Sequence, residues 1–380
     1  MIRFDSVTKR YPDGTLAVDD LSFTAPTGKI TVLVGPSGCG KTTSLRMINR
    51  LIEPTSGTIW IDDRDASQIS ATQLRRGIGY VIQHAGLFPH RTIVDNVATV
   101  PILLGTPKKQ ARMAALELME RVGLDPMFAN RYPAQLSGGQ QQRVGVARAL
   151  ASDPPVMLMD EPFSAVDPVV RAQLHEEFLR LQSDLGKTII MVTHDIDEAV
   201  KLGDQIAVLQ VGGHLAQLAS PHELLTRPVN DFVADFVGRD RGYRSLSFEK
   251  SGSLPTRGEP TVELGSEVSA ARALAIDDWI LVANSDGKPL GWLCTSLAPA
   301  GAVREDMLFR GGTIAASDGT LRQALDATLS SPSGRGVIVT PDGVLIGTVT
   351  ATEVVERITT NAGDARAEHS SSGSPAGATQ

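Results

Sequence analysis

Gly35-Pro36-Ser37-Gly38-Cys39-Gly40-Lys41-Thr42, with Thr43 directly behind it, is the stretch on which the fold turns. The apolar run at 30–34 precedes it and a helical pattern follows through Leu51, so the spacing predicts a glycine loop between a buried strand and a helix. Glycines let such a backbone curl with its N–H groups inward, and the helix behind it presents its positive end to the same point. Lys41 would then reach the outer phosphates of a nucleotide, and the Thr42 hydroxyl could bind Mg²⁺. Composition alone produces such a match in about one chain of this size in a hundred, so an ordinary helix-capping turn is the weaker reading. Cys39 occupies a variable position of the loop, where a small filler is preferred to a reactive thiol.

Outward from the loop, residues 77–82, 156–159, 188–192 and 205–209 read as further buried strands, and their alternation with helical patterns predicts an α/β core. Residues 108–122 carry apolar side chains at helical spacing, which places a helical subdomain at about 85–153 within a cassette spanning 1–240. Ser, Gly and Pro then concentrate, and 241–260 is expected to be a linker. A weak internal repeat follows in 261–360: WILVANSDGKPLGWL from Trp279 is echoed by GVIVTPDGVLIGTV from Gly336, each with the Asp-Gly signal of a hairpin. The Ser-, Gly- and Ala-rich residues 361–380 are expected to be disordered.

The 380 residues carry a formal net charge of -7, which gives no support to nucleic-acid binding. Two cysteines far apart in sequence, Cys39 and Cys294, suit a reducing compartment. The start MIRFDSVTKRYPDG has no apolar signal core, and no apolar run reaches the roughly 18 residues a membrane helix needs. The expectation is a cytosolic chain, so any transport path would be built by separate subunits.

Leu136-Ser137-Gly138-Gly139-Gln140, followed by Gln141-Gln142-Arg143, resembles the signature motif of the ABC ATPases, and it is the most specific signal in the chain. In physical terms Ser137 and two glycines open a helix whose amides and dipole can face an anion. The resemblance implies a P-loop NTPase cassette of α/β class with ATP and Mg²⁺ as ligands, followed by a smaller α+β module. Further motifs fall in the family's order. Residues 156–161 look like a Walker-B strand, with Asp160 toward Mg²⁺ and Glu161 as the base; two adjacent carboxylates after a buried strand need a cation or water nearby. Ser164-Ala165-Val166-Asp167 resembles the D-loop, which reaches the opposite subunit.

His194, in Thr193-His194-Asp195, resembles the switch histidine; His84, His90, His175, His214 and His222 lack that context and read as structural or surface residues. Gln83 matches the Q-loop glutamine that senses Mg²⁺ and water, and Tyr11 the aromatic that stacks on adenine, with a core tyrosine as the alternative. The resemblance implies a head-to-tail homodimer, with each nucleotide between 35–43 of one protomer and 137–140 of the other. The catalytic set is then Glu161, His194 and Gln83, with Thr42, Gln83 and Asp160 toward the metal. Residues 85–89, with Leu87 and Phe88, are either the groove for a membrane permease helix or an ordinary loop anchor.

The phrases KRYPDG from Lys9, GYVIQHAGLFPHRTIVDNVATVP from Gly79, DEPFSAVDPVVR from Asp160 and DFVGRDRG from Asp235 resemble the importer ATPases for glycine betaine, choline, carnitine and related quaternary amines. That implies a peripheral protein on the cytoplasmic face of the inner membrane, with a permease and, indirectly, an external substrate-binding protein as partners. Ser164 departs mildly from the glycine common in relatives. Importers of other substrates such as amino acids, exporters, and non-transport ABC ATPases are the alternatives; the second cassette or long coiled-coil insert that marks the non-transport groups is missing. The repeat at 261–360 resembles a tandem CBS module, but Glu353 stands where aspartate is expected and the first copy, Gly291 to Leu297, lacks both polar positions. Adenine-nucleotide sensing, dimerisation, an ionic-strength response and another ligand all stay open.

Overall fold

A computed structural model of the chain describes residues 1–83, 86–164, 166–252 and 254–360. His84, Ala85, Ala165 and the tail at 361–380 lie outside the described residues, and with them part of the expected docking loop at 85–89, part of the D-loop-like motif at 164–167, and the expected disorder of the tail. Two compact units are separated, Met1–Arg239 and Asp240–Gln380.

The strands of the first unit are β1 (Ile2–Arg10), β2 (Leu16–Ala25), β3 (Ile30–Val34), β4 (Ser56–Ile61), β5 (Arg64–Asp65), β6 (Ile78–Val81), β7 (Val156–Asp160), β8 (Thr188–Val192), β9 (Gln205–Leu209) and β10 (Leu215–Ala219). Its helices are α1 (Lys41–Ile48), α2 (Ala71–Arg76), α3 (Ile93–Val97), α4 (Thr99–Leu103), α5 (Lys108–Arg121), α6 (Gly138–Leu150), α7 (Pro168–Leu185), α8 (Ile196–Leu202), α9 (Pro221–Thr226) and α10 (Asp231–Val237).

The central sheet runs β10-β9-β3-β8-β7-β6, parallel except for β10. Its strands β3, β7 and β8 are buried at every residue because both faces are covered. In β8, Ile189 and Met191 enter a core shared with α3, α5 and α6, while Ile190 and Val192 enter a second core with α1 and β1. That second core also seats an antiparallel sheet, β2-β1-β4-β5, which the motif reading had not singled out. Its signal was a short alternation, Ile2 and Phe4 buried with Arg3 and Asp5 exposed, which a register shift breaks before buried Val7; the Phe4 and Phe23 rings stack at 4.6 Å.

In the second unit α11 (Arg241–Ser245) precedes two copies of a strand, helix and hairpin. One comprises β11 (Thr261–Glu263), α12 (Val268–Leu274), β12 (Trp279–Ala283) and β13 (Pro289–Cys294), with β14 (Leu308–Phe309) on its edge. The other comprises β15 (Ile314–Ala316), α13 (Leu321–Ser330), β16 (Arg335–Val339) and β17 (Leu345–Thr350). Both Asp-Gly signals close antiparallel hairpins, and each first strand pairs in parallel with the third element of its copy. Trp292 and Leu281 of one copy pack on Val337 and Val339 of the other.

The expected linker at 241–260 is corrected here. Leu246 and Leu254 are buried in one core with Leu321, Ala324 and Val354, and Arg257 exchanges backbone hydrogen bonds with Thr348. Apolar residues spaced too widely to show a period at 243, 246 and 254 are recruited by a surface that only the folded repeat provides.

Candidate functional site

The sheet order β3-β8-β7-β6 sets four loops side by side at the carboxyl ends of parallel strands, where ligands of open α/β sheets bind. Asp160 is level with Val192, and Val192 with Leu33. The glycine loop after β3, His194 after β8, Glu161 after β7 and Gln83 after β6 therefore share one edge.

Within the loop, Gly35 and Gly40 are demanded by space. A Cβ on Gly35 would lie 2.3 Å from the Leu209 carbonyl oxygen, and one on Gly40, at φ +89°, 2.3 Å from that of Ala17. Gly40 is also the N-cap of α1, so this helix begins on the loop itself. Lys41 is 8% exposed, and its Nζ donates to the carbonyls of Gly35 (2.6 Å) and Pro36 (3.0 Å). A cavity of about 310 Å³ is lined by Ala17, Ser37 to Thr43, Glu161 and His194.

The acidic side is equally organised. Thr42 Oγ1 donates to Asp160 Oδ1 at 3.1 Å. Glu161 bridges two loops: Gln83 Nε2 donates to its Oε2 at 2.9 Å, and His194 Nδ1 lies 3.2 Å from its Oε1. Glu161 itself has φ +44°, a costly backbone for a side-chain-bearing residue, held by its N–H on the Val192 carbonyl at 3.0 Å. Burial, the largest cause, holds the Asp160 carboxyl above the ordinary aspartate value; the Thr42 hydroxyl and Arg46 pull it down, Glu161 pushes it up, and Lys41 pulls it down. Arg46 was missed in the sequence, although it lies one turn beyond Thr42 on the same face of α1.

Hard oxygen donors, a buried carboxylate and a hydroxyl already on it fit Mg²⁺, which keeps waters and takes few protein ligands. Thr42, Asp160 and Gln83 are the side chains that would hold it, directly or through water. Among the described residues no cluster of three or more His, Cys, Asp or Glu forms a metal cage.

Other expected residues stand apart from the cavity. Tyr11 follows β1, its N–H on the Thr15 carbonyl and its ring under Lys9 at 5.4 Å; the cavity wall on this side is Ala17 instead. Ser137 caps α6, accepting from the Gln140 N–H at 3.3 Å while Gln140 Oε1 accepts from the Ser137 N–H at 2.9 Å. Ser137 and Gly138 are exposed, Gly139 is buried facing Val170, and none of them lines the cavity of their own chain. Phe88 is part-exposed, with the guanidiniums of Arg91 and Arg148 over its ring at 5.0 and 5.8 Å, while Leu87 packs on the core.

A strand, a glycine loop, a helix and facing carboxylates on this sheet make the first unit a P-loop nucleotide-binding cassette. A family model described as "ABC transporter" matches residues 18–164. The chain is 48% identical over 303 residues to the osmoprotectant import ATP-binding protein OsmV of Salmonella typhimurium, covering 77% of this chain and 79% of that protein. It is 47% identical over 272 residues to the glycine betaine/carnitine/choline transport ATP-binding protein OpuCA of Bacillus subtilis, 71% of each. Against the glycine betaine uptake system ATP-binding protein YehX of Escherichia coli it is 44% identical over 301 residues, 77% of this chain and 97% of that one. Among solved structures, a dimeric ATP-binding cassette in a post-hydrolysis state bound to ADP and Pi superposes with TM-score 0.54 at 34% identity, over 58% of this chain and 99% of that chain. This chain belongs to the family of ABC transporter ATP-binding proteins. Among the described residues no helix is long and apolar enough to cross a membrane.

Proposed function

We propose that the chain is the ATP-hydrolysing subunit of an importer for glycine betaine or a related quaternary amine osmoprotectant. The observation that carries the ATPase reading is Glu161 held between Gln83 and His194 at the mouth of the glycine loop. Phosphoryl transfer to water asks little covalent chemistry of a protein, so orientation and charge carry the rate. Glu161 accepts the proton of the attacking water, His194 and Gln83 fix its carboxylate, and Lys41 turns from the loop carbonyls to the phosphates. Mg²⁺, when bound, neutralises phosphate charge. The substrate class is supported by relatives named for these solutes.

Two copies would pair so that the exposed Ser137-Gly138 end of α6 meets the nucleotide of the partner, and an ATP-binding cassette of known structure is dimeric. A permease would dock at the loop bearing Phe88 on the cytoplasmic face of the membrane, and Tyr11 would close on adenine. The second unit is proposed as a tandem CBS-like regulatory module. An adenosine-phosphate ligand is disfavoured there, because Glu353 already accepts from Thr350 Oγ1 (2.8 Å) and from Arg257 Nε (2.8 Å).

Glu161→Gln is the direct test. Turnover should fall by roughly 10² or more while ATP binding persists and dimer accumulates; normal steady-state hydrolysis would remove Glu161 from the base role. Uptake of labelled betaine, choline and carnitine by the assembled transporter decides the substrate, and failure of all three rejects that assignment alone.

A further inference from the structure

Two ion pairs and a histidine–carboxylate contact span α7 and α8. Arg171 Nη1 lies 3.6 Å from Asp195 Oδ2, His175 Nε2 3.4 Å from Glu198 Oε1, and Lys201 Nζ 2.7 Å from Glu176 Oε1. Positions 171 and 175 are one turn apart on α7, with 176 beside them, and the α8 N-cap 195 is followed at three-residue steps by 198 and 201, so these side chains line the seam between the two helices. The middle pair is buried, and Phe163 meets the His175 ring edge-on at 4.7 Å.

Each helix is the continuation of a loop of the site. Val166 and Asp167 lead into α7, and His194 immediately precedes Asp195, the N-cap of α8. Arg171 reaches both: its Nη2 donates to the Val166 carbonyl at 3.0 Å while Nη1 faces Asp195. Asp195 in turn accepts from the N–H groups of Asp197 and Glu198 through Oδ1, leaving Oδ2 toward Arg171.

We propose that Arg171 and Asp195 are positioning residues that tie Val166, at the entry to α7, to the loop bearing His194, so that the two shift together and His194 is kept at Glu161. The proposal rests on the reading of Glu161 and His194 as hydrolytic machinery. A part-exposed ion pair adds little to stability. Its leverage is geometric, since a misplaced orienting group costs rate without costing the fold.

The test measures hydrolysis, nucleotide affinity and melting temperature of the full chain as Arg171→Met, Asp195→Asn, the double variant and Arg171→Lys. Asparagine keeps the oxygen that caps α8 and loses only the charge. Each single variant should lose about fivefold in kcat, with nucleotide affinity and melting temperature close to wild type. The double variant should be no slower than the slower single, and Arg171→Lys should recover part of the loss. Independent losses that multiply in the double variant, or an unchanged kcat, overturn the proposal. If Arg171→Met folds poorly, the cycle of Arg171→Lys with Asp195→Asn gives the same decision. A wild-type chain without ATPase activity would reject the underlying function and the coupling with it, whereas an active wild type with indifferent variants rejects the coupling alone.

Discussion

Gly40 and Asp160 show how single positions set the chemistry. At φ +89°, with the Ala17 carbonyl oxygen 2.3 Å from where a Cβ would be, Gly40 leaves no room for alanine. The left-handed backbone alone costs roughly 1–2 kcal/mol, and the clash is with main chain, which cannot swing away. Gly40→Ala should therefore abolish ATP binding, measured by calorimetry; retained affinity would mean that the loop re-forms around the methyl group. Asp160 gives a pH dependence. A carboxyl raised in the folded state favours folding fully below its unfolded value and loses that contribution as pH climbs through its folded value. The melting temperature of the nucleotide-free chain should fall across the interval just above the ordinary aspartate value. Asp160→Asn should flatten that limb and remove the Mg²⁺ dependence of nucleotide binding; identical slopes in the two proteins would contradict the assignment.

Among the elements, α6 does two jobs with one residue. Ser137 and Gln140 form a reciprocal cap, so Ser137→Ala should cost the chain about 1 kcal/mol, a melting shift of a few degrees at most. A far larger loss of turnover than of stability is expected, because the same exposed hydroxyl is proposed to meet the partner's nucleotide. Proportionate losses would reduce Ser137 to a cap. The α7–α8 face is the other element of this kind, since its Arg171–Asp195 pair joins loops that are 27 residues apart at Asp167 and His194.

For the whole molecule, the described hydrophobic clusters each lie within one unit, two in Met1–Arg239 and three beyond it. Residues 1–239 produced alone should fold and bind ATP. Of two C-terminal fragments, 240–360 should melt cooperatively and 261–360 should not, since the shorter one loses Leu246 and Leu254 from its core. Each deleted buried leucine costs about 2–5 kcal/mol, a large share of what a small domain has. Equal melting of the two fragments would restore 241–260 to the status of a linker.

Much of this was legible in the chain as written. Residues 30–34 and 188–192 announce buried strands because both faces of a parallel sheet exclude water, and the glycine loop and the signature announce themselves because backbone room and helix caps are local demands. Both Asp-Gly turns were readable for the same reason. What local pattern could not carry was adjacency. That β3 lies beside β8 and β8 beside β7 is decided by tertiary packing, and only that order brings His194 and Gln83, 111 residues apart, onto the same carboxylate. Arg46 beside Asp160, Arg171 beside Asp195, and Leu254 in a core with Val354, 100 residues further on, belong to the same class. Residue type and spacing determine what each segment can do, whereas burial and distance between remote segments arise only when the chain has folded on itself.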